Sequence, residues 1–179
     1  MAASLAAMQA QGCSLLALLV SACALALGEV PRANAAYRDG HFELYPRPAV
    51  GVSLPTTETF LFATVLDADR KPLTGLSEEI ERLAERALAG ELRPPELSGA
   101  TFTLTDLGRD GIESGSPLVV PPHAAALAAG SIREVPVVRD GAVTAGHRMT
   151  LTLACDHRIL YGREAARFLT AIRSRLEEG

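Results

Sequence analysis

The run Cys155-Asp156-His157-Arg158-Ile159-Leu160-Tyr161-Gly162 decides the reading of this chain. Before it, Met149 to Cys155 reads as a β-strand. After it, Ala165, Leu169, Ile172 and Leu176 mark one face of a helix. His157 therefore falls at a strand-to-loop boundary, where a scaffold can hold an imidazole in a fixed pose.

Upstream, Val135 to Val138 reads as a strand and Asp140-Gly141 as a turn. Ala124 to Ala129 fits helix or strand by pattern alone. Gly108 to Pro122 is loop-like, rich in Gly, Ser and Pro, and Thr101 to Leu107 alternates as a strand. The cleanest helix covers 74–90. Leu76, Ile80, Leu83, Ala84, Ala87 and Leu88 form one apolar stripe, with Thr74 or Ser77 as the cap. Glu78, Glu79 and Glu81 are read into its first turns, where acids suit the helix dipole, and Gly90 stops it. Pro94-Pro95 predicts an extended connection. Val50 to Leu54 and Thr59 to Leu66 read as strands, with Pro55 in the loop between them. Arg38-Asp39-Gly40 predicts a hairpin turn inside Tyr37 to Leu44.

Residues 14–28 are strongly apolar and read as a helix buried on most of its circumference. A secretory signal is the competing reading, with Ala-Asn-Ala at 33–35 as its cleavage site. Against it, no Lys or Arg precedes Arg32, Ser14 and Ser21 interrupt the run, and Gly28-Glu29-Val30-Pro31 is helix-stop chemistry. The run is also too short for a membrane span. Residues 1–13 carry no clear signal and read as a frayed start. No repeat, linker or second domain is visible, so one domain is expected over 14–179.

The chain has 179 residues, 48% of them apolar but only 4% aromatic, so its core rests on Leu, Val and Ala. A net charge of -4 without a basic face argues against nucleic-acid binding. Cys13, Cys23 and Cys155 are odd in number and lack metal-site spacing. They predict buried thiols in a reducing, cytoplasmic compartment, with no disulfide framework and no zinc. The histidines are too scattered to ligate a metal.

The run 155–162 resembles the DHRxxDG signature of the 2-oxo acid dehydrogenase acyltransferase family, with Tyr161 in place of the acid. Other segments resemble the same catalytic domain, in order. Ala22 to Leu27 with Pro31 and Asn34-Ala35 resembles its core helix and turn, and Val50-Gly51-Val52 its GIAV-type strand. Leu76 to Leu97 resembles its LAERAR-type helix and exit, and Thr101 to Gly108 its FTISNLG strand. Gly111-Ile112 and Pro121-Pro122-His123-Ala124-Ala125 resemble its GI…NPPQAA stretch.

The resemblance implies a chloramphenicol acetyltransferase-like α/β fold: a two-layer sandwich with a mixed sheet, assembled as a trimer with its active site in a channel between subunits. It maps the general base to His157 and the hydroxyl that donates to the tetrahedral intermediate to Thr105. A strand threonine bonding locally is an equal reading of Thr105. Asp156, Arg158, Tyr161 and Gly162 would support the site, and His123 and Asp106 would line the channel. In the family, the acid at the fourth position after the histidine pairs with an arginine from the N-terminal region, and this chain matches neither partner. His41 and His147 are expected in solvent.

The implied substrate is a coenzyme A thioester, with a dihydrolipoyl group or small molecule as acceptor. No lipoyl attachment site is read in the chain. The family's opening RKxIAxRM-type helix and following strand have no match either. The leading expectation is a homotrimeric acyltransferase acting on a separate lipoyl protein or a small molecule. The alternatives are a weakly active structural subunit beside a longer paralogous acyltransferase, or an N-terminally truncated fragment. The charged C-terminal stretch Arg173 to Gly179 argues against growth into larger cages.

Overall fold

Residues 12–178 are described by the computed structural model. The frayed start expected over 1–13 lies mostly outside them, although Cys13 is buried. Helix α1 (Leu15–Glu29) begins where the Ser14 hydroxyl accepts from Ala17 N–H at 3.2 Å. A serine there satisfies one of the donors that a helix start leaves unpaired. Leu16, Ala17, Leu19, Ala22, Cys23, Ala24 and Leu27 are buried, around more than half of the helix, while Leu25 is exposed. Most of this apolar circumference is covered, by α2 (Leu73–Ala89), α3 (Gly162–Glu178) and strand β3 (Ala49–Pro55). No helix among the described residues is long and apolar enough to cross a membrane.

The central sheet has the order β4-β3-β5-β6-β9, with β4 Phe60–Leu66, β5 Phe102–Asp106, β6 Ala125–Ala129 and β9 Leu151–Cys155. The β3–β5 and β5–β6 pairs are parallel and the two outer pairs antiparallel, which makes the sheet mixed. Strand residues alternate between faces. Val50, Val52, Phe102, Leu104, Leu127 and their neighbours meet the three helices and form the main core. Phe102 and Phe168 of α3 lie edge to face, with ring centroids 5.5 Å apart. The opposite face carries Gly51, Ser53, Thr64, Thr103, Thr105, Ala126 and Ala128, mostly small or hydroxyl-bearing, with Phe62 opposite Ser53 and Phe60 opposite Pro55 at the edge. This is the expected two-layer sandwich.

The hairpin at Asp39-Gly40 joins β1 (Ala35–Arg38) to β2 (His41–Leu44), with positive φ at both turn residues. Ala124 to Ala129, open by pattern, resolves as β6, because strands on both sides pair with it. Residues Ala142–Arg148 form β8, paired with β7 (Arg133–Arg139) in a separate hairpin; only Met149 to Cys155 had been read as strand there. All but Gly146 of β8 are exposed, so no apolar alternation marks it.

Helix α2 is capped differently from the expectation. Its N-cap is Pro72, whose carbonyl accepts from Leu76 N–H. Ser77 is buried and serves α1 instead, where Ser14 N–H donates to its Oγ at 2.6 Å. The first turn of α2 holds no acid; Glu79, further along, pairs with Lys71 at 2.6 Å. Gly90 ends the helix in the left-handed conformation, as expected. Pro94-Pro95 opens a 3-10 turn rather than an extended link. Proline suits the start of a turn, where its φ is preset and its missing N–H is not needed.

Segment 108–122 is held close to the end of β6. Ser131 N–H donates to the Ile112 carbonyl, and a Cβ on Gly130 would lie 1.8 Å from the Glu113 carbonyl oxygen. Gly130→Ala should therefore push this segment off the sheet and cost about 1–3 kcal/mol, as overpacking does. A urea midpoint equal to that of the wild type would refute the close approach.

Candidate active site

The loop after β9 is built from the backbone outward. Asp156 N–H donates to the Ala124 carbonyl, and the Asp156 carbonyl accepts from Ile159 and Leu160 N–H. The Asp156 carboxylate takes Arg158 N–H at 2.9 Å and Arg158 Nη2 at 2.6 Å. The Arg158 side chain holds that carboxyl below its ordinary pKa, and the same pairing raises the guanidinium. Arg158 also lies over the Tyr37 ring, 4.1 Å from its centroid. Ile159 and Leu160 are fully buried, Ile159 against Ala35 and Ala124. His157 is thus an exposed side chain between immobilised neighbours. Gly162 opens α3, and an added Cβ there would meet open space within the chain.

Thr105 stands elsewhere. It pairs with Ala128 of β6, and Ala128 with Thr152 of β9. From Thr152 the chain runs on to His157 at ~3.3 Å per residue, and two inter-strand steps of ~4.8 Å intervene. The two side chains therefore lie roughly 15–20 Å apart, at opposite ends of the sheet. One chain does not bring them together. Thr105 opens into a cavity of about 270 Å³ with Ser53, Phe60, Asp106 and Arg109. Asp106 lines that cavity and also closes a turn, accepting from Gly108 N–H at 2.9 Å.

Tyr161 is 53% exposed, its ring centroid 6.3 Å from that of His157. The arginine that the sequence did not supply by motif has a counterpart in space. Arg32, on the turn Pro31–Ala33 after α1, lies 5.8 Å from the Tyr161 ring and 4.8 Å from the Phe42 ring. Its Nη1 donates to Glu164 of α3 at 3.1 Å. Nothing in the sequence links Arg32, Phe42, Tyr161 and Glu164, because only tertiary contacts join them.

His123 stands at the His157 end of the sheet, since Ala125 pairs with Cys155. It opens into a cavity with Phe62, Thr64, Ala100 and Thr103, not into either of the places above. His41 and His147 are exposed, as expected. The His123 Nδ1 is buried and has no hydrogen-bond partner among the described residues. Desolvation lowers the pKa of this imidazole, helped by the charge on Arg38 and opposed by the Ala100 carbonyl. The unfolded chain then binds a proton near pH 6.5 that the folded chain refuses. Stability should be full above pH 6.5 and fall as the pH drops toward the lowered folded value. Asp156 and Glu96, both shifted downward, lose their contributions only at lower pH. His123→Gln should flatten the urea midpoint between pH 7.5 and 5.5, and an unchanged slope would refute this assignment.

The comparisons with known proteins agree on one family. Residues 2–179 match the family described as 2-oxoacid dehydrogenases acyltransferase (catalytic domain). The dihydrolipoyllysine-residue acetyltransferase component of the pyruvate dehydrogenase complex of Mycobacterium bovis is 41% identical over 156 residues. That alignment covers 83% of this chain and 28% of the relative. The chain thus spans under a third of the length of the curated relatives it first matches.

Among solved structures, a dihydrolipoamide acetyltransferase from Azotobacter vinelandii is 28% identical with a TM-score of 0.90. The match covers 98% of this chain and 75% of that one, which was studied for a serine, a histidine and an asparagine in its catalytic mechanism. A chloramphenicol acetyltransferase, 14% identical, shares the fold with a TM-score of 0.60, over 97% of this chain and 82% of its own. This chain belongs to the acyltransferase catalytic-domain family of the 2-oxoacid dehydrogenases.

Proposed function

We propose that the chain moves an acyl group between coenzyme A and a dihydrolipoyl or small-molecule acceptor, at sites shared by neighbouring subunits of a cyclic trimer. His157 of one subunit removes the proton from the attacking thiol or hydroxyl. Thr105 of the next donates to the oxyanion that forms on the thioester carbonyl. Collapse of the tetrahedral intermediate breaks the C–S bond of the donor thioester and expels its thiolate, which takes the proton from His157.

The observation that carries this reading is the separation of the two groups. An exposed histidine on a rigid loop and a hydroxyl facing a cavity lie at opposite ends of one sheet, so a head-to-tail ring of chains could align one with the other. The catalytic serine, histidine and asparagine studied in the Azotobacter relative fall at the same intervals as Thr105, His157 and Tyr161 here. The residue at the third of these positions is uncharged in both proteins, so the reading does not depend on an acid there.

Cysteines that are odd in number and lack metal-site spacing fit a cytoplasmic setting. The test is turnover by the purified chain with acetyl-coenzyme A and dihydrolipoamide, with its mass measured by light scattering. Acetyl transfer by a particle of about three chains supports the reading. A stable trimer without transfer would favour the scaffold role instead.

A further inference from the structure

We propose that Arg32 is a positioning residue for the His157 loop. Its guanidinium lies against the rings of Phe42 and Tyr161 and is pinned by Glu164, and this clamp sets the place of the Tyr161 ring beside His157. The inference rests on the function proposed above and adds a residue that no motif marks.

The geometry supplies the reason. Tyr161 is more than half exposed, so burial alone does not fix its ring. Of the contacts that hold it, the Arg32 guanidinium reaches it from the side of the helix exit, within the ~6 Å over which a cation and a ring attract. Arg32 is itself held from two further directions, by the Phe42 ring from the β1–β2 hairpin and by the Glu164 carboxylate from the first turn of α3. Three elements distant in sequence therefore converge on one guanidinium. Tyr161 is the residue just before α3, and its carbonyl accepts from Ala165 N–H. Its ring sits 6.3 Å from the imidazole at a tilt of 58°. A shift of this ring changes the space available to the imidazole and to the acceptor that must approach it. Arginine suits the position because its flat, weakly hydrated head stacks on rings while its edge donates to a carboxylate. Lysine keeps the charge but not the flat face.

The experiment compares the full chain with Arg32→Met, Arg32→Lys, Tyr161→Leu and the double variant Arg32→Met/Tyr161→Leu. Arg32→Met should lower kcat by about ten- to a hundredfold with little change in KM for either substrate, because misplaced groups slow chemistry more than binding. Arg32→Lys should recover part of the loss. The double variant should be no slower than the slower single variant, since both break one contact.

Aromatic-ring NMR of the same proteins reads the clamp without turnover. Tyr161 and His157 ring resonances should both move in Arg32→Met, with the urea midpoint close to wild type. Unmoved resonances, a loss confined to KM, or losses that multiply in the double variant would each overturn the clamp. A wild-type chain that shows the NMR coupling but no acyl transfer would overturn the proposed function and leave the clamp standing.

Discussion

Replacing His157 with alanine should lower acyl transfer by roughly two to four orders of magnitude, the usual worth of a positioned general base. The loop around it should survive the change. Its backbone is tied through Asp156 to Ala124, and its course is set by the buried Ile159 and Leu160. The imidazole is exposed and contributes to neither, so the urea midpoint should stay close to wild type. The loss should fall on kcat rather than on KM, because the proton moves only as the transition state forms. Steady-state rates with acetyl-coenzyme A and dihydrolipoamide decide the matter. A His157→Ala protein with wild-type turnover would remove the proposed mechanism, and a large rise in KM alone would recast His157 as a binding group.

Mixing two inactive variants should restore activity. Thr105→Ala alone should cost about two to three orders of magnitude if its hydroxyl donates to the oxyanion. His157→Ala costs at least as much. Thr105 and His157 stand at opposite ends of the sheet, so each site in a ring would take one from each neighbour. In trimers reassembled from equal amounts of the two variants, a site is intact where a chain with native His157 meets a neighbour with native Thr105. Random assembly with cyclic, head-to-tail contacts makes about a quarter of the sites intact. Turnover should therefore rise to about a quarter of wild type after the mixture is unfolded and refolded together, far above either variant alone. Activity that stays at the level of the separate variants would place both residues in one chain's site, against the register of the sheet, or would remove Thr105 from catalysis. Refolding each variant by itself gives the baseline.

Much of the fold is legible from local chemistry. The apolar run after Ser14 needs cover on most sides, and a helix at the centre of the helical layer is where it finds that cover. The stripe Leu76, Ile80, Leu83 and Ala87 turns inward, and Gly90 ends the helix. Asp39-Gly40 and Asp140-Gly141 make the turns that their freedom at positive φ suits. The run from Cys155 to Gly162 places an exposed histidine between a strand and a helix. These features depend on neighbours in sequence, and the pattern reports them directly.

What depended on partners distant in sequence was decided only in three dimensions. Ser77 reads as a cap for its own helix, but it bonds to the first residues of another. The strand Ala142–Arg148 has no apolar alternation because most of it faces solvent, and it exists through pairing with β7. Ala124 to Ala129 is a strand because two strands flank it, where its alanines alone would fit a helix as well. Thr105 and His157 were named together from their motifs, and the sheet register then set them apart within the chain. Tyr161 read as a departure without a partner. Arg32 lies beside it because the turn after α1, the β1–β2 hairpin and the start of α3 converge there. The sequence by itself determined which segments form helices, turns and most strands, and marked the residues proposed for the chemistry, because propensity, periodicity and motifs are local. The tertiary structure alone decided which of those residues lie near one another in the chain, because a contact between distant segments leaves no local periodic signal.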